Sequence, residues 1–211
     1  MQRSFVKRLG YKILHIFCRL CGVIFFRIRV KGRENQTAGG ALICSNHQSF
    51  FDPVLVGLAF EQRMNYLARK TLFKFPPFRW LIEYLDAIPI DRDGMGLQGI
   101  KETLRRLKRS EMVLIFPEGT RTRDGHVASL KPGFVALARR GKQPLIPVGL
   151  DGAYAAWPRE SALPRLSTIH ICIGEPITAE QIEQWSDHEI VTELESRIRE
   201  CHRLARIGRE A

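Results

Sequence analysis

Between residues 28 and 211, short runs of apolar residues alternate with longer segments of helical periodicity. The apolar runs have the length and composition of buried strands: Ala41–Cys44, Asn65–Ala68, Ala87–Ile90, Met112–Phe116, Leu145–Leu150 and Thr168–Ile173. The segments with helical periodicity are Pro53–Phe60, Pro77–Leu85, Leu97–Lys108, Gly133–Arg139, Ala179–Trp185 and Asp187–Leu204. This alternation predicts an α/β layered domain with a largely parallel central sheet flanked by helices. In such folds the loops that follow the carboxyl ends of the strands carry the ligand sites.

The size and cysteine content fit one domain that needs no covalent or metal support. A domain of 211 residues buries roughly 70% of the surface of its unfolded chain. The five cysteines are odd in number and scattered, which indicates a reducing compartment rather than a disulfide framework. Cys18 and Cys21 have no second pair at zinc-site spacing, so we expect no metal site.

The formal net charge of +11 is concentrated at the start of the chain, where the first 33 residues contain nine Lys/Arg and no acidic residue. The apolar residues among these charges recur every three or four positions and form one helical stripe: Phe5, Leu9, Ile13, Ile16, Phe17, Leu20 and Ile24. This pattern predicts a basic amphipathic helix in the interface of an anionic phospholipid membrane. We therefore divide the chain into an anchoring helix, residues 1–27, and a globular domain, residues 28–211. The predicted location is the cytoplasmic face of the inner or plasma membrane, with peripheral or monotopic attachment.

Two alternatives to this interpretation of the first segment stay open, and a third alternative concerns the function of the whole chain. The helix could pack on the core of its own domain, or it could span the bilayer, although Lys12, His15 and Arg19 interrupt its apolar run. The positive charge also permits a nucleic-acid-binding module. That module would place its basic residues among exposed aromatic side chains on the folded domain. Since the excess charge lies in an apolar helix, we expect no nucleic-acid partner.

The loop after the first predicted strand of the domain contains His47 and Asp52. Asp followed by Pro53 is a common helix start. In a continuous helix, two residues five positions apart point about 140° away from each other, so contact requires a bend at the start of the helix. If they meet, the carboxylate fixes one tautomer of the imidazole and makes it a better general base. Spacing alone equally allows a histidine that only caps the helix.

A second loop, after the strand Met112–Phe116, has the sequence Pro117-Glu118-Gly119-Thr120-Arg121-Thr122-Arg123. Gly119 permits close approach of a ligand to the backbone. Arg121 and Arg123 carry planar guanidinium groups that suit a phosphate or a carboxylate.

Together these loops resemble the signature motifs of the glycerolipid acyltransferase family: Asn46-His47 with Asp52, and then Phe116-Pro117-Glu118-Gly119-Thr120-Arg121. Two further blocks occur in the family's order, namely Ile88-Pro89-Ile90-Asp91-Arg92 and Leu145-Ile146-Pro147-Val148. Lys70 and Lys131 also stand where the family often has basic residues. The resemblance covers about residues 28–150.

The resemblance implies a role for each matching residue. His47 corresponds to the general base and Asp52 to the residue that orients it. Arg92, Glu118, Gly119 and Arg121 correspond to the binding site for the glycerol phosphate of the acceptor, with Lys70 as a further contributor. Pro147 corresponds to a motif associated with the acyl-donor site or with its positioning.

The implied reaction moves a fatty acyl group from acyl-CoA or acyl-carrier protein to the sn-2 hydroxyl of lysophosphatidic acid, which gives phosphatidic acid. The acyl thioester is a co-substrate, and the resemblance implies no cofactor or metal. An acceptor other than lysophosphatidic acid, such as a lyso-aminolipid, remains an alternative within the family.

Overall fold

A computed structural model of the chain describes residues 5–74, 79, 82, 87–90 and 96–210. Seven strands form one sheet: β1 (Arg29–Lys31), β2 (Leu42–Ser45), β3 (Met64–Arg69), β4 (Ile88–Ile90), β5 (Met112–Ile115), β6 (Leu145–Asp151) and β7 (His170–Ile173). Their order across the sheet is β1-β7-β6-β2-β5-β3-β4. All neighbouring pairs are parallel except β6 and β7. The predicted largely parallel sheet is therefore confirmed.

The α-helices with given bounds are α1 (Phe5–Phe26), α2 (Asp52–Ala59), α3 (Gly96–Leu107), α4 (Gly133–Gly141), α5 (Ala153–Ala156), α6 (Ala179–Gln184) and α7 (Asp187–Glu210). Short 3-10 helices occupy Arg33–Asn35 and Lys70–Lys74. The predicted helix Pro77–Leu85 falls largely outside the described residues.

The core lies on both faces of the sheet because successive side chains of a buried strand point to opposite sides. Leu42 and Cys44 of β2 belong to a cluster with side chains of α4 and α7, whereas Ile43 belongs to a cluster with side chains of α2. In α7 the buried residues recur at helical spacing: Ile190, Leu194, Ile198, Cys201 and Ala205. This stripe holds α7 against β6 and β7.

Helix α1 contacts the domain through residues in its middle and at its end. His15 Nε2 lies 3.3 Å from the Gly57 carbonyl oxygen, and Gly22 is buried next to Leu58. The predicted apolar stripe points elsewhere, since its described members are 56–69% exposed: Ile13, Ile16, Phe17, Leu20 and Ile24. These five described members of the stripe therefore do not pack on the domain core. Among the described residues, no helix is both long and apolar enough to cross a membrane.

Candidate active site

The loop between β2 and α2 folds back on itself and brings His47 onto Asp52. The peptide N–H groups of Gln48 and Ser49 both donate to Asp52 Oδ2, the latter at 2.7 Å, so the chain curls around the carboxylate just before the helix begins. This bend places His47 Nδ1 2.7 Å from the same oxygen. The contact that spacing alone left open is present.

Asp52 is fully buried, while the His47 side chain keeps 19% of its surface exposed. Burial raises the pKa of the Asp52 carboxyl because a charge is costly away from water; the His47 ring and the two backbone amides oppose that rise. With the carboxylate ionised, Nδ1 is the donor and carries the ring proton. His47 Nε2, which has no hydrogen-bond partner among the described residues, is then the nitrogen with the free lone pair.

The loop after β5 covers the other side of His47. The Phe116 ring stacks on the imidazole with 4.0 Å between ring centroids and 15° between planes. The Thr122 amide donates to the His47 carbonyl oxygen at 2.7 Å. Since β2 and β5 are adjacent parallel strands, their carboxyl ends deliver both loops to one edge of the sheet.

Glu118 ties these two loops together through the backbone. The His47 amide donates to Glu118 Oε1 at 2.8 Å, and the Ala128 amide donates to Oε2 at 3.1 Å. The side chain is buried, and burial raises the pKa of Glu118 to about 7, with the Asp52 charge adding to the rise and the two amides opposing it. Both carboxylate oxygens are thus engaged with backbone amides. This geometry favours a positioning role for Glu118, whereas the family resemblance implies contact with the acceptor.

Gly119 and Arg121 lie on the same loop, nearer to solvent. Gly119 has φ +76°, a conformation that suits glycine, and a Cβ atom there would lie 3.0 Å from Lys131 Nζ. The Arg121 guanidinium stacks on the Phe50 ring, 3.6 Å from its centroid. The loop between β5 and α4, which covers His47, thus also carries three cationic residues, Arg121, Arg123 and Lys131.

The other predicted site residues lie on other elements of the sheet edge or outside the described residues. Lys70 is exposed at the start of the 3-10 helix that follows β3, at the same carboxyl edge of the sheet. Pro147 is buried within β6, paired in register with Cys44, which favours positioning over direct contact with the donor. Arg92 lies outside the described residues.

Sequence reasoning missed the role of Gln48, the residue after His47. Its side-chain Nε2 donates to the Gly125 carbonyl oxygen at 2.9 Å, and its Oε1 accepts from the Tyr154 amide at 3.2 Å. The buried carboxamide thus connects its own loop to the loop at Gly125 and to helix α5. Its backbone amide is one of the donors to Asp52.

A second histidine–aspartate pair lies behind Gln48. His202 Nε2 of α7 is 3.3 Å from Gln48 Nε2 and 3.3 Å from Asp151 Oδ1, at the end of β6. Arg209 donates to Asp151 Oδ2. Burial by itself would raise the pKa of the Asp151 carboxyl, but the hydrogen bonds from His202 and Arg209 outweigh burial and hold this pKa below its usual range. No local pattern could reveal this contact, because 154 positions separate Gln48 from His202.

An aromatic cluster joins this edge of the sheet to α1. Trp157 contacts Phe50 and Phe51, with ring centroids 5.3 and 4.8 Å away, and Phe51 contacts Phe26 at 5.5 Å. The end of α1 is therefore packed beside the loop that carries His47. Among the described residues, no group of three or more His, Cys, Asp or Glu side chains could hold a metal ion.

Comparison with known proteins gives consistent matches. The acyltransferase family model matches residues 27–151. The 1-acyl-sn-glycerol-3-phosphate acyltransferase of Bacillus subtilis is 32% identical over 152 residues, which cover 71% of this chain and 73% of that protein. The protein of the same name from Pseudomonas aeruginosa is 34% identical, with 73% and 60% covered. That of Cocos nucifera is 29% identical, and the match covers only 53% of its length.

The solved structures support the same fold. The 1-acyl-sn-glycerophosphate acyltransferase PlsC of Thermotoga maritima superposes with a TM-score of 0.81 at 24% identity, covering 95% of this chain and 82% of that one. The α/β architecture predicted from the sequence is thereby confirmed. Since the family model matches more than half of the chain and includes both loops around His47, the chain belongs to the acyltransferase family.

Proposed function

We propose that the protein transfers a fatty acyl group from an acyl thioester to the sn-2 hydroxyl of lysophosphatidic acid. The names of the Bacillus and Pseudomonas relatives support the acceptor, and acyl-CoA or acyl-carrier protein is the proposed donor. The observation that carries the proposal is the 2.7 Å contact between His47 Nδ1 and the buried Asp52 carboxylate, in a histidine that remains partly exposed.

In the proposed reaction, His47 Nε2 removes the proton from the acceptor hydroxyl as its oxygen attacks the thioester carbonyl. The carbon–sulfur bond then breaks, and the leaving thiolate takes this proton from His47. An ester and a free thiol result, and no covalent acyl-enzyme forms. Asp52 stabilises the imidazolium that exists between the two proton transfers.

The acceptor phosphate is proposed to bind the cationic groups around this loop. Arg121 and Lys131 lie on the loop that covers His47, and Arg92 and Lys70 are the further contributors predicted from the sequence. Fixing the phosphate positions the hydroxyl close to Nε2, and such positioning accounts for a large share of rate enhancement in two-substrate reactions.

The test is a turnover assay with purified protein, a panel of lysolipid acceptors and both donor types. We expect lysophosphatidic acid to be the best acceptor and His47→Ala to abolish turnover while the far-UV spectrum and melting temperature stay near those of the parent. His188→Ala, at an exposed position on α7, is the matched control and should be fully active. Turnover by His47→Ala would exclude the general-base mechanism. A preferred lyso-aminolipid would change the acceptor and retain the mechanism.

We further propose that α1 attaches the protein to the cytoplasmic face of the membrane as a peripheral or monotopic anchor. The support is the exposed apolar stripe together with the basic residues around it. Replacing Phe17 and Leu20 with serine removes two side chains that are 60% and 56% exposed. The double variant should bind anionic vesicles about 100-fold more weakly, because each lost side chain removes roughly 1–1.5 kcal/mol of binding free energy. Unchanged sedimentation with vesicles would contradict the anchor.

A further inference from the structure

A small groove lies where α1 meets β1 and α2, away from the loop that carries His47. Its volume is about 80 Å³, and its lining combines two guanidinium groups with four aliphatic side chains: Arg19, Arg33, Val23, Ile28, Val30 and Leu58. Leu58 lies near the end of α2 opposite Asp52, so the length of the helix, eight residues or about 12 Å, separates the groove from the candidate active site. The groove is therefore a separate feature of the surface.

Among the described residues, neither arginine of the groove has a carboxylate within salt-bridge distance. Arg33 Nη1 donates to the Ala59 carbonyl oxygen at 2.9 Å, which is a neutral partner. Burial and the nearby Arg19 charge both lower the pKa of Arg33, and Glu61 opposes them only in part. Within the described residues neither arginine forms a salt bridge. Two like charges at one groove favour an anion between them.

The surroundings specify what kind of anion fits. Arg19 lies on α1 among exposed members of the apolar stripe, such as Ile16 and Leu20, and Val23 forms part of the groove itself. A ligand here meets guanidinium groups and aliphatic surface at the same time. A free inorganic anion can use only the first of these, whereas a phospholipid presents a phosphate directly beside hydrocarbon.

We propose that this groove is a binding site for the phosphate of an anionic membrane phospholipid, held between Arg19 and Arg33. The proposal rests on the proposed attachment of α1 to the membrane and adds to it a discrete headgroup site. Such a site fixes the rotation of α1 about its own axis at the membrane surface. Because the end of α1 packs against the loop carrying His47 through Phe26 and Phe51, it also fixes how that loop faces the lipid.

The experiment uses the full chain in an uncharged detergent and titrates it with dihexanoyl-phosphatidylglycerol below its micelle concentration, followed by amide chemical shifts. Dihexanoyl-phosphatidylcholine and inorganic phosphate are titrated separately. We expect saturable binding of the phosphatidylglycerol, with shifts centred on residues 19–33. Arg19→Gln combined with Arg33→Gln should weaken it at least about 30-fold, since each removes a charged hydrogen-bond donor. Arg29→Gln, an exposed residue on β1 outside the groove, is the charge-matched control and should change affinity less than about twofold.

Three results would overturn the proposal. If Arg29→Gln weakened phosphatidylglycerol binding as much as the double variant, the loss would reflect overall charge rather than the groove. Equal affinity for inorganic phosphate would make the groove an anion site without lipid selectivity. Equal affinity for the phosphatidylcholine would show that the anionic headgroup is not recognised. Acyl transfer to a soluble short-chain acceptor is measured on the same variants and should be unchanged, because neither arginine belongs to the candidate active site. Failure of the acyltransferase proposal would appear as an inactive parent protein, independently of the lipid titration.

Discussion

Asp52→Asn isolates the charge of the carboxylate from its geometry. All three donors, the His47 ring and the two backbone amides, meet at Oδ2, and Oδ1 is buried without a hydrogen-bond partner. An asparagine can place its single oxygen at the Oδ2 position and keep all three hydrogen bonds. Its amide nitrogen then takes the place of Oδ1. We therefore expect the loop and the His47 tautomer to survive while the negative charge is lost.

The size of the expected effect follows from the His47–Asp52 ion pair that would form during the proposed reaction. Two unit charges about 4 Å apart attract by about 4 kcal/mol at an effective dielectric constant of 20. The neutral amide retains about 1 kcal/mol of that as an ordinary hydrogen bond. The loss of about 3 kcal/mol from the transition state lowers the rate by about two orders of magnitude.

Stability should change much less than rate. The buried amide nitrogen lacks an acceptor, which costs about 1–3 kcal/mol, but removing a buried charge offsets this cost. The assays are single-turnover acyl transfer to lysophosphatidic acid, thermal unfolding, and ¹⁵N chemical shifts of the His47 ring. Asp187→Asn, an exposed aspartate on α7, is the matched control. Activity of Asp52→Asn within threefold of the parent, or a proton moved to Nε2 of His47, would refute the reasoning.

Two further predictions concern the residues that position His47. Glu118→Gln retains one acceptor oxygen for two backbone amides and should lower kcat about tenfold with little change in KM for lysophosphatidic acid; a raised KM at constant kcat would instead indicate acceptor binding. In the parent, the pKa of Glu118 is raised from 4.5 to about 7, so its contribution to stability is complete below about pH 4.5 and is lost as pH rises through 7. Urea unfolding at pH 5 and pH 8 measures this loss: the free energy of unfolding should differ less between the two pH values for Glu118→Gln than for the parent. Gln48→Ala breaks its side-chain contacts to the loop at Gly125 and to α5, and it should reduce kcat about tenfold and the melting temperature by roughly 5–10 °C. An unchanged kcat would show that the carboxamide does not position His47.

Much of the fold could be predicted because the strands are buried on both faces and therefore form continuous apolar runs. The bounds of β2 and β5 differ from the predicted runs by one residue. Helix α7 continues to Glu210, beyond the predicted end at Leu204, since Arg209 reaches Asp151 from its last turn. Helix α5 was not predicted because four residues are too few to show a helical period.

The candidate site was predictable only where its residues lie close together in the chain. His47 and Asp52 share one loop, so their residue types and order indicate a possible pair. The bend that brings them into contact could not be predicted from the sequence. The engagement of Glu118 with backbone amides, and the contact of Gln48 with His202, depend on how separate loops meet in space. No periodicity or short motif encodes such contacts.

The pairing of early and late segments has a consequence for biosynthesis. Strand β1 joins the sheet through β7, and Asn35 bonds to Ile173, 138 positions later. Helix α1 therefore leaves the ribosome long before the segments that complete the sheet and brace Gln48 have been made. With α1 as the proposed anchor, we expect the nascent chain to reach the lipid surface while the loop around His47 is still unformed, because such long-range contacts are made last during folding. The order of translation would then complete the candidate site at the membrane surface.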